Sequence, residues 1–133
     1  MKDFSWDNKY NIDIERFDNQ HKHLVEVLKD INKAMEDKRD KLAIAQVINN
    51  LKKYADEHLL EEENFLIEIG YPHYEEHKLH HQRFKEQLAK FCDDFNSDRY
   101  LLHFEIAVFL KNWILNHISV VDKKYAEYFK NIN

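Results

Sequence analysis

The chain has 133 residues with one glycine, one proline, one cysteine and nine histidines, and a net charge of −5. Average usage would give roughly nine glycines and about six prolines, so turn-rich all-β folds and spaced-glycine phosphate loops are excluded. The acidic balance leaves no basic face for nucleic acid, and Cys92 has no intrachain disulfide partner, which points to a reducing, cytoplasmic setting.

Hydrophobic residues at 44% and charged residues at 34% suit one globular domain with a real core, spanning 1–133. The opening MKDFSWDNKY has no apolar leader, and no stretch reads as a membrane span. Residues 1–17 lack a helical period and read as an extended arm carrying Trp6, Tyr10, Ile12, Ile14 and Phe17.

Spacings of three and four then predict four amphipathic helices over 18–133. The first starts after Asp18 or Asn19 as N-cap and carries His21, Leu24/Val25, Leu28, Ile31 and Met35. The second carries Ile44, Val47/Ile48, Leu51, Tyr54/Ala55, His58, Glu62, Phe65/Leu66 and Ile69. It stops at Gly70, with Pro72 beyond. The third reads His77, His81, Phe84, Leu88, Phe91 and Phe95, after which Asn96–Ser97–Asp98 supply a break and a cap. The fourth reads Ile106, Leu110, Trp113, His117, Val120/Val121, Tyr125 and Tyr128. Long helices with short connections predict an all-α fold, an up-down-up-down antiparallel four-helix bundle with an extended N-terminal arm.

Each inward stripe is interrupted by metal-ligand side chains. His58 and Glu62, like His77 and His81, are i, i+4 pairs that stand one above the other on a helix face. His21 and His117 add one imidazole each. Such groups, buried without partners, would cost several kcal/mol, whereas a cation satisfies neutral imidazole and carboxylate together. Asp122 follows His117 by five residues, about 140° away on a regular helix. By spacing alone it joins the site only if the site is wide or the helix is locally widened. His23, His73, His80 and His103 read as ordinary histidines, and Cys92 as a helix residue without chemical role.

Five histidines with one or two carboxylates exceed the four ligands of a zinc site, and a thiolate-free donor set points to iron or another first-row metal. The Glu-x-x-His pattern of di-iron carboxylate bundles is absent.

The ordered set His21, His58-x3-Glu62, His77-x3-His81, His117-x4-Asp122 resembles the hemerythrin family in its bacterial single-domain form. Supporting matches are Asp18-Asn19-Gln20-His21-Lys22, the acidic run from His58 to Phe65, Tyr71-Pro72, Trp113-x3-His117-Ile118 and Tyr125. The resemblance implies two irons with an oxo or hydroxo bridge. His77, His81 and His117 hold one, His21 and His58 the other, and Glu62 and Asp122 bridge them. O2 then binds at the open position of the iron with fewer ligands, and Leu24, Phe65, Trp113 and Ile118 are expected to shield it from water. The implied function is reversible O2 binding, for carriage, storage or delivery, by a cytoplasmic monomer that is not an enzyme, with an oxygen-using enzyme or a reductase as the expected partner. Alternatives are O2 or redox sensing through a separate partner, peroxide or nitric-oxide chemistry at the same centre, and metal buffering.

Overall fold

The three-and-four spacing is realised as four long helical segments. The computed structural model describes residues 5–36, 41–97 and 101–132, and every regular element among them is helical. Helix α1 is Glu15–Glu36. Helix α2 (41–68) is α-helical over Lys41–Lys53 and Leu60–Glu68, with a π-helical turn at Tyr54–Leu59 between them. Helix α3 is Tyr74–Asn96. Helix α4, Leu102–Ile132, is interrupted by a longer π-helical stretch, Trp113–Asp122.

Two boundaries differ from the sequence expectation. Helix α1 begins at Glu15, so the arm is shorter than 1–17, and within it Asn8–Tyr10 forms a single 3-10 turn. Asp18 does not cap α1. Its carboxylate instead accepts from the backbone N–H of Ile12 at 2.8 Å and of Asp13 at 3.1 Å, tying the arm to the first helical turn. At the other junction Ser97 closes α3, but α4 is entered through Leu101 in the left-handed region (φ 67°) without a side-chain cap; Asp98 lies outside the described residues. Gly70 does end α2 as expected, at φ +66°, where a residue without a Cβ adopts the left-handed turn freely.

Contacts between neighbouring helices run in opposite order along the chain. Along α3 and α4, Phe91 meets Phe109, Phe84 meets Trp113 and His77 meets His117. Along α2 and α3, Tyr54 meets Phe84 and Glu62 meets His77. Between α1 and α2, Arg16 pairs with Glu61 and His21 with His58.

The apolar core has two parts. The larger includes Leu24, Leu28, Leu51, Phe84, Phe91, Leu110 and Ile118. The smaller joins Ile12, Phe17, Phe65, Leu66, Tyr71, Tyr125 and Ala126. The histidines lie between them: His58 stacks on Tyr54 of the larger cluster and meets Phe17 of the smaller. Val120, which a regular period places on the inward stripe, is 52% exposed because the π-helical stretch rotates the face. The same helix bears on the expectation that no stretch spans a membrane. By length and composition Leu102–Ile132 is apolar enough to cross a membrane, with mean hydropathy 1.2 over its best window. Its buried side includes Ile106, Leu110 and Ile114, packed in the larger core.

Candidate metal centre

All four helices deliver polar side chains to one buried point. His21 comes from the start of α1, His58 from the π turn of α2, Glu62 from the turn after it, His77 and His81 from α3, and His117 and Asp122 from the π stretch of α4. These seven residues are between 0% and 3% exposed. The donor atoms of Glu62, His77, His81 and His117 lie within 4.8 Å of one another, and so do those of His21, His58 and Glu62.

The π stretch resolves the awkward spacing of His117 and Asp122. A π-helix hydrogen-bonds i to i+5, which brings a residue five positions on back over the same face. Asp122 Oδ1 accordingly lies 3.0 Å from His117 Nε2.

Each carboxylate divides its two oxygens between two groups of imidazoles. Glu62 Oε1 faces His77 at 2.7 Å and His81 at 3.0 Å, while its Oε2 faces His58 at 3.3 Å and His21 at 3.6 Å. Asp122 Oδ1 faces His77 at 3.1 Å and His117 at 3.0 Å, while its Oδ2 faces His21 at 3.3 Å. Three imidazoles stand on one side and two on the other, with both carboxylates spanning the gap.

Without a cation these polar groups do not balance. His21 Nδ1, both ring nitrogens of His117 and both Asp122 oxygens are buried with no hydrogen bond. His21 Nε2 and His58 Nε2 face each other at 3.1 Å, an arrangement in which only one can donate. Native interiors satisfy nearly all buried polar atoms, so a concentration of orphans at one point is a strong indication of a bound group. Imidazole nitrogen and carboxylate oxygen are suitable first-row metal ligands, and the residues present fit such ions.

The electrostatics agree. Burial would lower the His21 and His77 imidazoles, but Asp122 and Glu62 outweigh it and hold them up at about 9 and about 10. Burial would raise Glu62, but the surrounding imidazoles of His21, His58, His77 and His81 bring it well below the usual carboxylate range. For Asp122 burial and the neighbouring Glu62 both push up, yet His117 and His21 pull it below its ordinary value. Burial keeps His58 and His117 low. Two ionised carboxylates therefore sit in a dry core, which demands compensating positive charge.

A hemerythrin HHE cation-binding domain model matches residues 12–129. The chain belongs to the hemerythrin family. Among curated relatives, a bacteriohemerythrin of Clostridium acetobutylicum is 34% identical, the match covering 93% of this chain and 99% of the relative. A bacteriohemerythrin of Stenotrophomonas maltophilia is 30% identical over 94% of this chain and 80% of its own length. A myohemerythrin of Theromyzon tessulatum is 25% identical over 92% and 90% respectively.

Within this hemerythrin-family fold the four histidines set aside in the sequence stay outside the cluster. His23 and His73 are exposed, and His80 and His103 are half-buried. His80 comes closest, its ring tilted on His117 at 5.5 Å, and lines a surface cleft of about 170 Å³ that also reaches His77. The sequence alone gives no role to Tyr125, Tyr54, Glu63 or Gln20, which touch the seven. Tyr125 donates its hydroxyl to Glu62 Oε2 at 2.9 Å. Trp113 Nε1–H donates to the Tyr54 hydroxyl at 3.2 Å, fixing the ring on which His58 stacks. Glu63 and Gln20 accept from the outer nitrogens of His81 and His58. Of the four expected shielding residues, all are buried. Trp113 stacks on His117 at 3.9 Å, beside the three-histidine group.

Proposed function

We propose that this chain binds O2 reversibly at a non-haem di-iron centre. The observation that carries the reading is the division of both carboxylates between a three-histidine group and a two-histidine group. On this reading His77, His81 and His117 hold one iron, His21 and His58 hold the other, and Glu62 and Asp122 bridge them. Two irons held there would supply an open coordination position and the redox chemistry of reversible O2 binding.

The protein's own contribution is positioning and exclusion. One group offers two imidazoles where the other offers three, so the open side belongs to His21 and His58. Tyr54 stacks on His58 at 4.6 Å and Phe17 stands edge-on to it at 5.7 Å, while Leu24, three residues after His21, is fully buried in the larger core. Such apolar cover keeps water from the metals and slows their irreversible oxidation. The described side chains hydrogen-bonded to the seven, Gln20, Glu63 and Tyr125, act as supports, and we read the chain as a binding protein rather than an enzyme. The opposite running order of helix contacts supports the up-down-up-down bundle, with the arm of residues 5–14 laid against it. We assign the chain a cytoplasmic, monomeric carrier or delivery role.

Anaerobic reduction followed by O2 titration tests this. The expected result is a visible absorption change that rises with O2, reverses under argon, and corresponds to two irons and one O2 per chain. Rapid, irreversible oxidation on the first exposure would overturn it.

A further inference from the structure

Metal-ligating imidazoles need their inner nitrogen bare, and the group bonded to the outer nitrogen decides this. Among the described residues His81 and His58 have such a group, one on each side of the centre. His81 Nδ1 lies 2.9 Å from Glu63 Oε2, a carboxylate that can only accept, so Nδ1 carries the hydrogen and Nε2 is left bare. His58 Nδ1 meets the Gln20 carbonyl oxygen. The orientation of that amide is decided one link further out, because Gln20 Nε2 donates to Glu61 Oε2 at 2.7 Å. His58 therefore also carries its hydrogen on Nδ1. The two supports differ in charge. Glu63 is a carboxylate, 7% exposed, directly on the ring. On the outer side of His58 stands a neutral amide, and the carboxylate one link beyond it, Glu61, is shared between Gln20 and Arg16, the latter at 3.4 Å.

We propose that Glu63 and Gln20 are positioning residues that make the two metal positions unequal. Glu63 lends negative charge through His81 to the three-histidine position, and Gln20 aligns His58 at the two-histidine position without lending any. The three-histidine position is then the more electron-rich, holds its ion more tightly and gives up an electron first. The inference rests on the two-metal reading above and adds the order in which the two ions are bound and oxidised.

The test loads the chain with ferrous iron under argon and follows release to a ferrous chelator. Wild type, Glu63→Gln, Glu63→Asp and the paired change Gln20→Glu with Glu61→Gln are compared. The paired change moves a carboxylate inward by one link at constant net charge and keeps the contact between positions 20 and 61. Wild type should release two ions in two phases. Glu63→Gln should speed the slower phase by about 10–100-fold and leave the faster one within about twofold, with partial recovery in Glu63→Asp. The paired change should slow the faster phase by about tenfold. A tenfold shift of preference from ferric toward ferrous iron in Glu63→Gln appears as a rise of about 59 mV in the first one-electron potential, which a merely structural role does not produce. Equal acceleration of both phases in Glu63→Gln, or an unchanged potential with an unchanged release profile, overturns the proposal. A wild type that retains fewer than two ions overturns the di-iron reading itself, and the unmodified chain alone reveals that outcome.

Discussion

Replacing Tyr125 with phenylalanine removes one oxygen from the centre and leaves the packing in place. Tyr125 is fully buried, and its ring stands edge-on to Phe17, Phe65, Tyr71 and His77, contacts a phenylalanine keeps. What disappears is the 2.9 Å donation to Glu62 Oε2. A hydrogen bond to a charged acceptor contributes about 1.5–3 kcal/mol. Unfolding entropy of about 2.1 cal/mol/K per residue gives roughly 0.28 kcal/mol/K for 133 residues. The metal-free Tyr125→Phe chain should therefore melt about 5–11 °C below the parent. After loading the drop should be smaller, because Glu62 then shares its charge with cations and depends less on the hydroxyl. Scanning calorimetry with and without iron measures both, and Tyr125→Ala serves as the packing control, costing about 3–5 kcal/mol through the cavity it opens. A metal-free drop below about 2 °C, or a larger drop after loading, would refute the view that the tyrosine steadies a carboxylate short of positive charge.

Three further outcomes are expected. Asp18→Ala should cost about 2 kcal/mol and speed amide exchange at Ile12 and Asp13, whose N–H groups it accepts; unchanged exchange there would show the arm is held otherwise. Gly70→Ala should cost about 1–2 kcal/mol in denaturant melts, purely through the backbone, since an added Cβ meets nothing within 4 Å and only φ +66° opposes it. Raising the pH should weaken the metal-free chain. Against burial, Asp122 and Glu62 hold His21 at about 9 and His77 at about 10, so these imidazoles contribute stability that is fully present below their unfolded value near 6.5 and is lost as pH rises through 9 and 10. The iron-loaded chain should lack this slope, and equal slopes in pH-dependent melts would count against it.

Most of the bundle and six of its seven polar residues could be read from periodicity, because a helix converts spacing directly into a shared face. What escaped reading depended on geometry that spacing does not carry. A regular period places Val120 inward and admits Asp122 only if the helix is widened, and one feature, the π stretch Trp113–Asp122, exposes the first and brings in the second. Asp18 was legible as a helix-start residue, but whether its carboxylate bonds forward to α1 or back to the arm depends on the path of the preceding chain. Leu101 carries no sign of its left-handed φ, since leucine rarely adopts that conformation and only the surrounding fold imposes it. Glu63 looked like one more acid in the run Glu61–Glu63. Its role appears only once the outer nitrogen of His81 is located.

The same geometry explains how a domain of this size tolerates so polar an interior. Two buried carboxylates with only neutral imidazoles around them would leave two uncompensated charges, a cost of several kcal/mol each against a total stability of about 5–15. The imidazoles lifted furthest, to about 9 and about 10, are His21 and His77, one from each group. Protons on those two rings supply the missing charge in the metal-free chain, at positions on opposite sides of Glu62 and Asp122. Cations held by the two groups would displace those protons and take over their electrostatic role, so that metal binding and folding would draw on one charge balance. Aliphatic residues of similar volume could pack this core, but they would not gather donors from α1, α2, α3 and α4 at a single point. The polar interior is therefore the mark of a site rather than a source of stability.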